Sequence, residues 1–182
     1  MPRVAPITGK SDVPAEHHAV VDGILNVFGG VRGPYSVLLQ SPRLAERVLT
    51  LGNFFRSESV VAPKHAELAI LVAAREREGA YVWAAHVGAA RRAGVREEAI
   101  DLIRAKGDPS KLPEEEREIV TYARQLFGKN RADQAAFDAL LKRYGVQWLV
   151  ELTASASYYG YLSNIVSAFE VAVPPDGDQL PG

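Results

Sequence analysis

The chain has 182 residues, of which 47% are hydrophobic and 24% charged, and its formal net charge at pH 7 is −1. This composition is typical of one globular domain that folds without a metal or a disulfide, and the balanced charge argues against a nucleic-acid partner. The absence of cysteine excludes disulfides, iron–sulfur ligation and thiol peroxidase chemistry. No apolar signal segment is visible at the amino terminus, so we predict a cytoplasmic protein.

The first third of the chain is predicted to be helical from Pro14 onward. Apolar residues recur at helical spacing up to Phe28, and the glycines at 29–30 end that helix. Residues 33–34, Gly-Pro, predict a turn. Ser41 is typical of an N-cap, with a proline in the first helical position after it, so a second helix is expected there.

The rest of the chain continues the helical pattern. Pro63 opens a helix that is apolar on nearly every side and stops at Gly79, which predicts a central helix. Further helices are predicted over 81–93, 96–105, from 113, from 133 to Gly145, and from 146 to about 171. With no strand alternation, we predict an all-α fold, an orthogonal or antiparallel bundle of about seven or eight helices, in one domain over 1–182 with frayed tails at about 1–12 and 174–182.

The last helix is uncharged from Leu152 to Phe169, about the length of a membrane span. Its many Ser, Thr, Asn and Tyr residues favour a helix buried in protein over a membrane span, so no membrane partner is predicted. Its apolar surface exceeds what a chain of this size easily covers, which favours an interface between copies of the chain.

Two titratable residues are unusual for the apolar helices that carry them. Glu67 opens the apolar run KHAELAILVAARE, and His86 lies among alanines in YVWAAHVGAARRAGV, beside Val82 and Trp83. A carboxylate facing an imidazole would form a general acid–base pair. The two residues lie on consecutive helices, but their contact depends on a crossing angle that the sequence does not give.

Structural alternatives exist for each of these residues. A lone histidine in a helix, such as His86, is more often a satisfied structural residue than a catalyst. Glu67 could be a charge at a helix amino terminus that favours the dipole, and Tyr81 with Trp83 is most often core filling. His65 and Glu67, two residues apart, point about 200° apart on a helix and cannot chelate one ion together. We therefore predict no metal site and no cofactor.

The stretch from about Pro42 to Ile103, which contains SPRLAERVLTLGNFFRS, KHAELAILVAARE and YVWAAHVGAARRAGVREEAIDLIR, resembles the carboxymuconolactone decarboxylase and alkyl hydroperoxidase D-like family. In the peroxidase branch a Glu is followed by CxxC and a His four residues later. Here Glu67 and His86 stand at the Glu and His positions, and Gly79 and Val82 stand where the cysteines would be. The resemblance is therefore to the cysteine-less, decarboxylase-like branch.

The resemblance implies an all-helical homo-oligomer, a trimer or hexamer, that acts on a small-molecule substrate. His86 and Glu67 would be catalytic, as an acid–base pair for decarboxylation or isomerisation of a small lactone or keto acid. The pocket is expected to include Tyr81, Val82, Trp83, Tyr158 and Asn164. The alternative is a non-catalytic small-molecule-binding or structural oligomer that kept the scaffold after losing the thiols.

Overall fold

The computed structural model describes residues 2–181, which contain eight α-helices and no β-strand. The predicted all-α fold class is confirmed. In chain order the helices are α1 His18–Phe28, α2 Pro34–Leu38, α3 Pro42–Ser57, α4 Pro63–Glu76, α5 Ala80–Arg92, α6 Glu97–Arg104, α7 Glu114–Lys129 and α8 Gln134–Ala168. Short 3₁₀ helices are found at Lys10–Asp12, Ala15–His17 and Pro109–Lys111.

The chain forms two compact units. The first comprises residues 2–58 and 164–172, in which α3 packs against α1 and α2. Its core is built on the apolar stripe of α1, where Val21 and Ile24 are completely buried. Gly29, at φ 67°, ends α1 in the left-handed conformation that glycine adopts without steric cost.

The second unit comprises residues 59–163 and 173–181 and is centred on α4. This helix packs against α5, α6 and α7, and all seven residues from Leu68 to Ala74 are buried. Because helices cover α4 on several sides, its sequence is apolar nearly all round, which agrees with its predicted central position. Pro63 occupies the first turn, where a missing N–H costs nothing.

Two helix boundaries differ from the predictions. The Gly-Pro pair at 33–34 was predicted as a turn only, but Pro34 begins the short helix α2, because proline fixes a helical φ at the first position. The last helix ends at Ala168 rather than near residue 171. The break predicted at Gly145 is present within α8, at φ 83° and ψ 170°.

The carboxyl-terminal residues of the second unit contact α5. Asp178 accepts a hydrogen bond of 2.6 Å from Arg91, and Gly177 lies so close to Ala84 that a Cβ at 177 would be 2.6 Å from the Ala84 Cβ. The single domain with frayed tails stays a prediction, and residues 1 and 182 of those tails lie outside the described residues. Within residues 2–181, no helix combines the length and apolarity that a membrane crossing requires.

Candidate functional site

The carboxylate of Glu67 and the imidazole of His86 meet across the α4–α5 contact. Nδ1 of His86 lies 2.9 Å from Oε2 of Glu67. Both side chains are mostly buried, with 16% of His86 and 17% of Glu67 exposed. The tight turn between the helices passes through Glu78, whose φ is 53°, and folds α5 back onto α4. The crossing angle that the sequence left open therefore brings the two groups into contact.

This contact leaves the second ring nitrogen of His86 available. A carboxylate that accepts a hydrogen bond from Nδ1 fixes the proton there and directs Nε2 away from itself. Among residues 2–181, no group forms a hydrogen bond with this Nε2. The ring of Tyr159 packs edge-to-face against the imidazole, with centroids 4.3 Å apart and planes at 72°. One nitrogen is thus held by Glu67, and the other forms no hydrogen bond within residues 2–181.

The predicted neighbours of His86 on α5 lie at different depths. Val82, one turn before His86, is 4% exposed, and Tyr81 is half-buried. Trp83 is completely buried in the core of the second unit, and the Arg104 guanidinium lies 5.5 Å from its ring centroid. This burial matches core filling, the structural alternative for Trp83. A substrate-binding role for these three residues stays a prediction.

The contribution of α8 to the site differs from the residues named from the sequence. Tyr158 is 5% exposed and packs edge-to-face on Tyr159 with centroids 5.2 Å apart. Asn164 is exposed and belongs to the first unit, so its place in the site stays a prediction. Tyr159, which contacts His86 directly, was not among the residues predicted to form the pocket. Two adjacent tyrosines on a helix point about 100° apart, and nothing in the sequence says which of them faces α5.

His65 lies against a different carboxylate from the one that contacts His86. Its Nε2 lies 3.3 Å from Oε1 of Glu115, which also accepts a 2.8 Å hydrogen bond from the hydroxyl of Tyr144. That hydrogen bond lowers the pKa of Glu115, while burial and the neighbouring carboxylate raise the pKa of Tyr144 far above its usual range. In the described part of the chain, no three His, Asp or Glu side chains are grouped as a metal site would need.

Comparison with known families and structures identifies the helical region that carries the pair. Residues 42–125 match the carboxymuconolactone decarboxylase family. The predicted resemblance is therefore confirmed. The matched segment includes both Glu67 and His86, and it begins and ends with helical residues of α3 and α7. No curated protein sequence matches the chain.

Solved structures agree with this family at the level of the fold. A variant of the debrominase Bmp8 in complex with 2,3,4-tribromopyrrole superposes with a TM-score of 0.77 at 17% identity, over 97% of this chain and 94% of that one. A peroxidase-related protein from Silicibacter sp. superposes with a TM-score of 0.73 at 13% identity, over 92% of this chain and 90% of that one. A third structure is a protein of unknown function from Agrobacterium tumefaciens, whose name links it to the antioxidant defence protein AhpD. It superposes with a TM-score of 0.67 at 21% identity, over 76% of this chain and 95% of that one. The fold is of the alkyl hydroperoxidase D-like type.

Proposed function

We propose that the protein is a cofactor-independent acid–base enzyme that decarboxylates or isomerises a small lactone or keto acid. The observation that carries this proposal is the hydrogen bond between Glu67 and Nδ1 of His86, which leaves Nε2 without a partner among the described residues. A carboxylate-oriented imidazole is a common means of moving a proton at neutral pH. Both side chains keep some exposure to solvent, which supports access of a small ligand to the pair.

In the decarboxylation, the bond between the substrate carbon and its carboxylate breaks and carbon dioxide leaves. The electron pair moves into the adjacent carbonyl or lactone and forms an enolate. Nε2–H of the protonated His86 then gives its proton to that carbon, and solvent returns a proton to the ring. Glu67 holds the ring by Nδ1 and stabilises its positive form. In an isomerisation, the same nitrogen removes a proton and returns it to another carbon.

The relatives bear on the proposal in two ways. Thiol peroxidase chemistry is not proposed, because the chain has no cysteine. The debrominase complex contains a small cyclic molecule, which supports a small-molecule ligand for this fold. Homo-oligomerisation as a trimer or hexamer and a cytoplasmic location belong to the same proposal.

The direct test is to measure carbon dioxide release from a panel of small lactone acids and β-keto acids. With a substrate turned over by the wild type, His86→Gln is expected to lower kcat by about 10²–10⁴. His65→Gln is the matched control, because His65 also lies on an apolar helix and contacts a glutamate, Glu115. An unchanged kcat in folded His86→Gln protein would overturn the proposal.

The second candidate function is a non-catalytic small-molecule-binding or structural oligomer. It is favoured by the same hydrogen bond, since Glu67 and His86 also join α4 to α5. In that case no member of the panel is turned over, and His86→Gln lowers only the melting temperature. A wild-type protein that turns over one member and loses that turnover in His86→Gln contradicts this alternative.

A further inference from the structure

We propose that Tyr159 is a positioning residue for His86. Its ring holds the plane of the imidazole while Glu67 holds Nδ1, so that Nε2 keeps one direction. The inference rests on the proposed function, because it concerns the nitrogen that exchanges the proton there. Tyr159 lies on α8, outside residues 42–125, so the family match assigns it no role.

The hydrogen bond to Glu67 does not by itself fix the plane of the imidazole. Nδ1 of His86 lies 2.9 Å from Oε2 of Glu67, but a hydrogen bond tolerates a departure of about 30° from linearity. The torsion angle between Cβ and the ring of a histidine has broad minima, unlike a torsion between two tetrahedral carbons. Rotation about that bond moves Nε2. A second contact on the ring is therefore needed to hold Nε2 in place.

The ring of Tyr159 supplies this second contact. The centroids of the tyrosine and imidazole rings are 4.3 Å apart, and their planes meet at 72°. Interacting aromatic rings usually lie about 4.5–7 Å apart and prefer edge-to-face or offset arrangements, so these two rings are in close contact. The imidazole of His86 cannot rotate far without colliding with the tyrosine ring or leaving the edge-to-face arrangement.

Tyr159 is itself held by packing on more than one side. Tyr158, which is 5% exposed, lies edge-to-face against it, with centroids 5.2 Å apart and planes at 85°. Tyr159 is partly buried and packs against the hydrophobic core of the second unit. The next residue, Gly160, lies where an added Cβ would be 3.9 Å from the Phe127 ring on α7. A ring supported in this way serves as a fixed surface for the imidazole.

The proposal assigns the effect to the aromatic ring of Tyr159 and not to its hydroxyl group. Tyr159→Phe keeps the ring, so the imidazole stays in its plane and the proton stays on Nδ1. Tyr159→Leu removes the ring, so the imidazole rotates and the hydrogen bond to Glu67 is formed only part of the time. A neutral imidazole that loses this partner samples both tautomers.

The test is NMR spectroscopy of protein with ¹⁵N-labelled imidazoles, at a pH high enough to keep the rings neutral. The chain has four histidines, and the His86 signals are identified by their loss in His86→Gln. The wild type and Tyr159→Phe are expected to show one tautomer, with the proton on Nδ1, and Tyr159→Leu a mixture. Tyr161→Leu, at a tyrosine of α8 that is 37% exposed, is the control and should resemble the wild type.

A second variant and a second measurement complete the test. If Tyr159→Leu does not fold, Tyr159→Met replaces it, because methionine fills the space with a flexible chain and no ring. On a substrate turned over by the wild type, the variant without the ring is expected to lower kcat about tenfold and to leave KM within about twofold. Tyr159→Phe should keep kcat within about twofold of the wild type.

The NMR and kinetic results separate the two proposals. If the variant without the ring loses the single tautomer but the wild type turns over no panel member, the positioning role stands and the catalytic proposal fails. A single Nδ1–H tautomer in the folded variant without the ring would overturn the positioning role, as would its unchanged kcat. A mixture of tautomers in the wild type, in Tyr159→Phe or in Tyr161→Leu would also overturn it.

Discussion

The carboxylate of Glu67 holds Nδ1 of the His86 ring, and Nε2 forms no hydrogen bond within residues 2–181. In the proposed mechanism Glu67 acts through the imidazole and does not need to touch the substrate, so we propose it as a positioning residue. Its effect is to fix which nitrogen carries the proton and to stabilise the charged ring when the proton is taken up.

Glu67→Gln is expected to lower kcat by about 10–10²-fold and to leave KM within about twofold, because the amide still fills the space but no longer stabilises the imidazolium. The measurement is steady-state kinetics on a substrate turned over by the wild type. Glu115→Gln is the matched control, because Glu115 contacts His65 in the same manner and should leave kcat unchanged. An increase in KM with unchanged kcat would show that Glu67 binds the substrate instead.

At the residue scale, the sequence predicted the pair but not its surroundings. Glu67 and His86 were identifiable because charged groups are rare in such apolar helices. The contact of Tyr159 with His86 was not, because the face of α8 turned toward α5 depends on packing that a helix of tyrosines, serines and alanines does not specify. Trp83 was grouped with His86 by its spacing, whereas the structure buries it completely.

Among the helices, α8 has a single break, and it depends on one residue. Gly145 has φ 83° and ψ 170°, a backbone conformation that is almost confined to glycine. Gly145→Ala should lower the free energy of unfolding by about 1–3 kcal/mol, measured by urea denaturation. Gly160→Ala is the control in the regular part of α8, where the added Cβ would lie 3.9 Å from Phe127, and it should raise stability slightly. Equal effects of the two substitutions would contradict the role of Gly145.

Helices α4 and α7 are linked by an ion-pair network around Glu116. Its carboxylate, 3% exposed, accepts a 2.7 Å hydrogen bond from Arg96, which precedes α6, and lies 3.2 Å from the amine of Lys64 on α4. Burial raises the pKa of Glu116, but Arg96 and Lys64 lower it more strongly, so the net pKa lies below its usual range. Ionised Glu116 is therefore favoured by the folded state.

The stability contribution of a carboxyl group with a lowered pKa is present above the pKa of the unfolded chain and is lost as the pH falls through the folded value. At pH 7, Glu116→Gln should lower the free energy of unfolding by about 1–2 kcal/mol. The difference from the wild type should shrink as the pH falls below about 4. Glu98→Gln, at a side chain that is 76% exposed, should have little effect. A difference that stays constant from pH 7 to pH 3 would exclude the network as its cause.

At the element scale, proline and glycine positions predicted most helix boundaries. Pro42 and Pro63 begin helices, and Gly29 and Gly145 interrupt them. Proline narrows the range of backbone dihedral angles and glycine widens it, irrespective of packing. Pro34 was misread because a proline after a glycine is equally compatible with a turn and with a first helical turn. The end of α8 was placed too late because no proline or glycine marks it before residue 174.

At the scale of the whole molecule, one copy of the chain leaves large apolar side chains of α8 exposed. On α8, Val146 is 65% exposed and Val150, one turn later, is 59% exposed. Side chains at this spacing lie on one face of the helix, so they form a continuous strip. This strip supports the proposed homo-oligomer, which the sequence predicted from the uncharged character of the same helix.

Light scattering coupled to size-exclusion chromatography should give the mass of a trimer or hexamer for the wild type. The double variant Val146→Glu/Val150→Glu is expected to shift to monomer. Assembly would then bury unpaired glutamate carboxylates in an apolar interface and remove their hydration. Lys142→Glu, at an exposed polar position of α8, is the control and should leave the mass unchanged. A wild-type monomer at about 100 μM would contradict the oligomer.

The central claim is that a ligand approaches Nε2 of His86 while Glu67 holds Nδ1. The most direct measurement is a crystal structure of the protein soaked with 5-oxotetrahydrofuran-2-carboxylate. The account predicts a ligand atom within about 3.2 Å of Nε2, with the bond between Nδ1 and Glu67 intact. A ligand bound elsewhere, or a His86 ring turned away from Glu67 in the complex, would contradict it.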